Sequence, residues 1–258
     1  SKASIFKSLP LTQSVAQVCE TLLKQTDFRS EATRQRQFAR TFTDVDNVKI
    51  AEVIPEACSD NIIVMEYLND FVPFTALEVE DAKVAACTAG LHALFKMLFE
   101  VGLIHGDMHG GNVLANADGT QIGLLDFGFA IEVPPATRRE FAKFFQSIYR
   151  ADGKKAAVII RDSALKVPDD FDYEAFEVDM SGLVERSAGK KAQEFQVTAF
   201  GAELFQIQRK HGMLGSPDFT LPILALLTYE GLVKNITPQL DFQKEAIPFT
   251  IRGLSAGL

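Results

Sequence analysis

Residues Gly102–Ala130, GLIHGDMHGGNVLANADGTQIGLLDFGFA, decide how the rest of this chain is read. His105-Gly106-Asp107 leads into Asn112, and Asp126-Phe127-Gly128 lies near the end of the stretch. Between Asn112 and Asp126, two apolar runs, Val113-Leu114 and Ile122-Gly123-Leu124-Leu125, flank Asn116-Ala117-Asp118-Gly119-Thr120. Asp-Gly between such runs is a hairpin signal, because Gly takes the left-handed backbone of a tight turn without a steric clash. A hairpin here sets Asn112 and Asp126 side by side, so that an amide and a carboxylate converge on one cation. Oxygen ligands of this kind suit Mg²⁺.

That spacing is the one phosphoryl transfer needs. In the kinase template the first Asp accepts or orients the proton of the attacking hydroxyl, while the Asn and the second Asp hold Mg²⁺ against the nucleotide phosphates. The expected catalytic residues are therefore Asp107, Asn112 and Asp126, with Asn112 and Asp126 as metal ligands and ATP and Mg²⁺ as the bound species. A lone D-F-G or H-x-D arises by chance. Here two motifs, their order, the hairpin and a preceding apolar helix agree, which is the context a motif must have.

The combination of H-G-D-x-H-x-G-N (His105 to Asn112) with D-F-G resembles the UbiB (AarF-type) atypical kinases, a family linked to ubiquinone and other isoprenoid-quinone lipids. Aminoglycoside- and choline-type phosphotransferases share H-G-D-x-x-x-x-N, but their second acid usually sits in I-D-[WF]-E. Gly110 departs from the family, which usually has Pro there, and this bears on loop stiffness. The resemblance implies an α+β, protein-kinase-like fold: an incomplete small lobe over residues 1–70 and a mostly helical large lobe over 71–258. It implies ATP-dependent phosphoryl transfer or ATP hydrolysis in support of quinone-lipid biosynthesis, with a quinone-pathway lipid or protein as a further partner. A small-molecule phosphotransferase and a non-enzymatic pseudokinase are the alternatives. The family's Ala-rich loop and K-x-G-Q extension have no counterpart, and Lys2 and Lys7 stand too close to Glu31 to be the nucleotide-binding lysine by the family's spacing. A piece of a longer protein or a degenerate member is expected.

The 258 residues are 47% hydrophobic and 23% charged, near globular averages. A net charge of -8 argues against nucleic acid held by phosphate neutralisation and against a broadly basic membrane-binding face. Cys19, Cys58 and Cys87 are scattered and lack metal spacing, which points to plain thiols in a reduced, intracellular compartment, cytoplasm or organelle matrix. The longest apolar stretch, around Leu221 to Leu227, is too short to span a bilayer, so any membrane contact is expected to be peripheral.

Upstream, a helical stripe over 12–24 follows Thr12, and a second helix runs from Phe28 to about Thr41, capped by Thr26-Asp27. Phe28, Ala32, Gln35 and Phe38 or Phe42 fall on successive turns, with Arg29, Arg34, Arg36 and Arg40 assigned to a solvated face. T-D-F-R-S-E-A here resembles the family's regulatory helix, which makes Glu31 the acid that pairs with the nucleotide-binding lysine; the family's upstream Glu-x-Asp is Gln25-Thr26-Asp27. Residues 47 to 68 read as strands, the second from Ile62 to Leu68. Its end resembles a kinase hinge, so backbone near Glu66, Tyr67 and Leu68 is expected to bond the adenine edge. Thr75 to Glu78 reads as a capping box before a long helix from Asp81 to Glu100, with His92 in a structural or solvent-facing role. His105 takes the kinase position that braces the metal loop, and His109 lies inside the catalytic loop. After Pro134-Pro135, Thr137 to Glu140 reads as a second capping box. The remainder reads as all-α, with helices near 152–166, 172–186, 191–211 and 219–234, and Ile223 to Leu240 resembles the family's C-terminal helices.

Overall fold

In the computed structural model, which describes residues 28–188 and 194–255, one apolar helix runs through the larger part of the molecule and the other elements are arranged about it. This helix, α2 (Glu80–Phe95), continues into a wider π turn, Lys96–Val101, that closes on Gly102. Ala86, Leu91, Leu94, Phe95, Leu98 and Phe99 on it are all buried, as a helix covered on every side requires. Gly102 ends it in the left-handed region at φ 81°, with its N–H on the Met97 carbonyl.

Before α2 come α1 (Phe28–Thr41), β1 (Val48–Ile50) and β2 (Phe71–Pro73). After it come β3 (Leu103–His105), β4 (Val113–Asn116), β5 (Ile122–Leu124) and β6 (Ala130–Glu132). The expected hairpin is β4–β5, registered Val113 to Leu124 and Ala115 to Ile122. It is the middle of a four-stranded sheet ordered β1-β5-β4-β2, in which β1 runs parallel to β5. Gly119 in its turn has φ 71°, and a Cβ there would fall 2.0 Å from the Ala82 carbonyl oxygen of α2. β3 and β6 form a separate antiparallel pair.

The rest is α3 (Pro135–Tyr149), α4 (Gly153–Asp162), α5 (Tyr173–Ser187), α6 (Val197–Lys210), α7 (Pro217–Val233) and α8 (Phe242–Ser255). Tyr229 of α7 lies across α2 at Gly90, where a Cβ would meet its hydroxyl at 2.2 Å, and that hydroxyl donates to the Cys87 carbonyl at 2.7 Å. Two short strands, β7 (Ala164–Lys166) and β8 (Leu214–Gly215), pair here, so the segment is not wholly helical as its sequence suggests. The α+β, kinase-like class stands.

Several local readings change. Neither capping box caps its helix: α2 begins after Val79 and α3 after Pro134, and neither residue offers a side-chain acceptor. Acids in the first turn of α2, Glu80 and Asp81, meet the positive helix end instead, and Pro135 opens α3 where its missing N–H costs nothing. Residues 62–68 are not one long strand; isolated bridges join Ser59 to Ile62 and Val53 to Met65. The apolar stretch at 221–227 is not the longest apolar helix, either. By length and composition Glu80–Val101 could cross a membrane, yet 61% of its most apolar window is buried inside the fold. The expected helix over 12–24, the Thr26-Asp27 cap and Cys19 lie outside the described residues.

Candidate active site

His105 joins the two loops. β3 carries it into the interior, where it is fully buried. Its Nε2 lies 2.9 Å from the Leu125 carbonyl, which can only accept, and its Nδ1 takes the Asp107 N–H at 3.2 Å. These partners require the neutral tautomer with the proton on Nε2. Burial pushes the imidazole below its usual pKa and so keeps it in that form, against the pull of the Leu125 carbonyl and the nearby Asp126 and Asp107. One ring therefore fixes the backbone before Asp126 and the backbone at Asp107.

Asn112 makes the second connection. It is 6% exposed, its Nδ2 donates to the Asp107 carbonyl at 3.1 Å, and its own carbonyl accepts the Leu125 N–H at 2.9 Å. With the amide nitrogen engaged, Oδ1 is left as an acceptor that no donor among the described residues meets. The hairpin thus sets Asn112 opposite Leu125, one residue from Asp126. Asp126 has φ 57°, a left-handed conformation that is uncommon for residues with a side chain but tolerated by Asp. Its Oδ1 accepts the Gly128 N–H at 3.1 Å.

Asp107 is half-exposed. His109 accepts the Gly111 N–H on Nδ1 at 2.9 Å, so its Nε2 carries the proton, and that nitrogen lies 3.6 Å from Asp107 Oδ2. This is an approach rather than a hydrogen bond. Gly110 does not have positive φ, so its backbone does not demand glycine.

α1 closes the site from above. Its inward face carries Glu31, Ala32, Gln35 and Phe38; the periodicity predicts the last three, while Phe28, expected on the same stripe, is exposed at the start of the helix. Glu31 is 8% exposed; burial raises its pKa, and so does the neighbouring Asp126 charge, while Arg34 and the Phe127 backbone pull it down. The Phe127 ring is buried against Phe38 at 4.9 Å and against His105 at 5.2 Å. Arg34 is not on the solvated face expected of it. It is half-buried, with Nε donating to the Phe127 carbonyl at 2.8 Å and Nη2 to the Gly128 carbonyl at 3.1 Å. Its place three residues after Glu31, on nearly the same side of the helix, was the available signal.

The segment resembling a hinge has open backbone groups. Glu66 donates its N–H to the Glu52 carbonyl, the Tyr67 carbonyl accepts from Asn69, and the Leu68 carbonyl accepts from Phe71. The Glu66 carbonyl and the Tyr67 and Leu68 N–H groups have no protein partner among the described residues. The Glu66 side chain is turned to Lys49 at 2.8 Å, an ion pair and hydrogen bond that lower its pKa. Tyr67 is 80% exposed and Leu68 is buried. A separate apolar cavity of about 120 Å³ lies among α3, α6, α7 and α8, lined by residues such as Phe144, Phe200 and Leu226, and includes none of these loop residues.

Residues 1–160 match the family described as the ABC1 atypical kinase-like domain, and residues 180–241 match the UbiB helical domain. Among curated proteins, the "Probable protein kinase UbiB" of Photorhabdus laumondii is 28% identical over 237 residues, covering 89% of this chain and 43% of that protein. Its counterpart from Sodalis glossinidius is 30% identical over 240 residues, with the same two coverages. The chain thus spans less than half the length of these relatives. Among solved structures, a Mycobacterium tuberculosis protein in complex with erythromycin superposes with a TM-score of 0.65 over 95% of this chain and 63% of the other, at 18% identity. That likeness concerns the fold alone.

Proposed function

The chain belongs to the ABC1 atypical kinase-like family, and from that premise we propose that it is the catalytic core of an atypical kinase or ATPase that uses Mg-ATP in ubiquinone or related isoprenoid-quinone lipid biosynthesis. The observation that carries the reading is the joining of the two loops: His105 and Asn112 each bond both the Asp107 segment and Leu125, the residue before Asp126. In the proposal Asp107 takes or orients the proton of the attacking hydroxyl, and its half-exposed carboxylate is open to a substrate. Neutral His105 holds that loop in place and takes no proton.

The donor set fits Mg²⁺. Asn112 Oδ1 and the second carboxylate oxygen of Asp126 are the oxygens not already engaged, and hard cations of this size take such ligands while retaining waters. Bound there, Mg²⁺ supplies neutralisation of the phosphate charge. The Glu66 carbonyl and the Leu68 N–H are assigned to the adenine edge, with Tyr67 beside them, and Glu31 to the partner of a nucleotide-binding lysine. The division into a small-lobe part, residues 1–70, and a large lobe, 71–258, belongs to the same proposal. So does membrane contact through apolar helix faces, given the net charge of -8.

Calorimetry of ATP binding to the full-length protein tests the reading. Binding is expected to require divalent metal, and Asp126→Asn to weaken it by roughly one to two decades, the equivalent of one charge-assisted contact of about 1.5 to 3 kcal/mol. Tight binding in the presence of a chelator, unchanged by Asp126→Asn, overturns it.

A further inference from the structure

One side chain of α1 holds two consecutive carbonyls of the metal loop. A guanidinium presents its N–H groups as a rigid planar fork, and Arg34 spends two of them on Phe127 and Gly128. The same three-residue loop contains Asp126 at φ 57°, a backbone state that surrounding contacts must maintain. The other restraints are of different kinds. The Gly128 N–H on Asp126 Oδ1 is internal to the loop, and the Gly106 N–H on the Phe129 carbonyl comes from the catalytic loop. From α1 come the Phe38 ring against Phe127, which holds a side chain, the Glu31 carboxylate facing the Phe127 backbone, and Arg34, whose fork holds two consecutive carbonyls. Arg34 also sets positive charge beside Glu31, an acid that Asp126 crowds.

We propose that Arg34 is a positioning residue for the proposed reaction, a clamp from α1 that fixes the Asp126-Phe127-Gly128 backbone so that the Asp126 carboxylate is poised for the cation. The clamp rests on the reading of Asp126 as a metal ligand. It touches neither metal nor nucleotide and acts only through the loop. With the clamp gone, Asp126 samples other backbone states, and only a fraction of molecules offers the cation its ligand. The apparent metal affinity falls by that fraction, and saturating metal restores the competent state. A clamp of this kind makes the position of α1 and the conformation of the metal loop one equilibrium.

The test uses the full-length protein and the variants Arg34→Ala and Arg34→Lys, with Mg²⁺ and ATP as probes. In Arg34→Ala, amide exchange at Phe127 to Phe129 is expected to speed up at least ~10-fold while the β4–β5 hairpin stays protected. The Mg²⁺ concentration for half-maximal ATP binding is expected to rise about 10-fold, with ATP affinity at saturating Mg²⁺ returning to within about 2-fold of wild type. Arg34→Lys, whose single ammonium can meet one carbonyl, is expected to lie between. Unchanged exchange at 127–129 overturns the clamp, and so does a lowered melting temperature with an unshifted Mg²⁺ midpoint, the signature of a merely structural bond. Wild-type protein that binds ATP without regard to Mg²⁺ sinks the metal-ligand reading of Asp126 and the clamp's purpose with it. Normal wild-type Mg²⁺ dependence with no shift in Arg34→Ala sinks the clamp alone.

Discussion

Glu230 and Asp107 are both carboxylates of one chain, and they are used in opposite ways. Glu230, on α7 in the helical part, is 4% exposed. It takes the Val197 N–H at 2.7 Å on one oxygen and the Thr198 N–H and hydroxyl at 2.7 and 2.6 Å on the other. The first turn of any helix has N–H groups without intrahelical partners, and Gln196, at the N-cap of α6, makes no side-chain bond to them. Glu230 supplies that cap from another helix, with a charge that suits the helix end. Asp107 is half-exposed, and the Nε2–H of His109 stands 3.6 Å from its Oδ2. The helical part uses its buried acid to hold itself together; the loops are held mainly by backbone, amide, imidazole and the Arg34 guanidinium, which leaves the Asp107 carboxylate and one oxygen of Asp126 free for a ligand.

Glu230→Ala should break the helical side of this contrast. It leaves buried N–H groups at the start of α6 unpaired, at about 1 to 3 kcal/mol each, so urea denaturation is expected to show a loss of about 3 kcal/mol or more. A loss under about 1 kcal/mol would mean that water replaces the carboxylate there. Asp107→Asn probes the loop side. ATP turnover of the full-length protein should fall at least ~100-fold, the scale of a lost acid–base contribution, with stability within about 0.5 kcal/mol of wild type. Unchanged turnover removes Asp107 from the chemistry.

The smallest effect concerns the two described thiols. Cys87, buried in α2, has its pKa raised to about 11 by burial, while Cys58 is partly exposed. At pH 8 alkylation is expected to label Cys58 and to reach Cys87 only on unfolding. Equal labelling rates would show that α2 opens readily. Raising the pH should also weaken the fold: between the ordinary thiol value of 9.0 and about 11, the unfolded chain releases a proton that the folded chain retains, so stability falls as pH rises through that window.

The sequence was most legible where its signals are local. Ala32, Gln35 and Phe38 on the inward face of α1, though not exposed Phe28, and the β4–β5 hairpin follow from apolar spacing and Asp-Gly, and Asn112 and Asp126 reach the same end of that hairpin because they flank it. Contacts distant in sequence left at most an indirect trace, such as the spacing of Arg34 from Glu31. Arg34 reads as one of four basic residues on a helix until the loop 93 positions later receives it, and Glu230 reads as one polar residue in an apolar helix until α6 is packed against it. The cap of α2 misled because Thr75-x-x-Glu78 has the right letters while the chain turns into the helix later, at Val79. Helix α8 has no counterpart among the helices read from the sequence; it carries Pro248 inside it, as α7, which has such a counterpart, carries Pro222.

The hairpin turn at Asn116 to Thr120 bears on how the molecule can be handled. A polar turn containing Asp-Gly is where one would ordinarily graft a reporter, place a split point or open a circular permutation. Here the turn is seated on the first turns of α2, with no room at Gly119 even for a methyl group beside the Ala82 carbonyl. Any insert must lift the hairpin from α2, and the two strands it would lift are those that carry Asn112 at one end and lead into Asp126 at the other. The part of the chain that looks most tolerant of new sequence is therefore mechanically tied to the two proposed metal ligands, and a fusion made there is expected to act as a distal inhibitor of the proposed site.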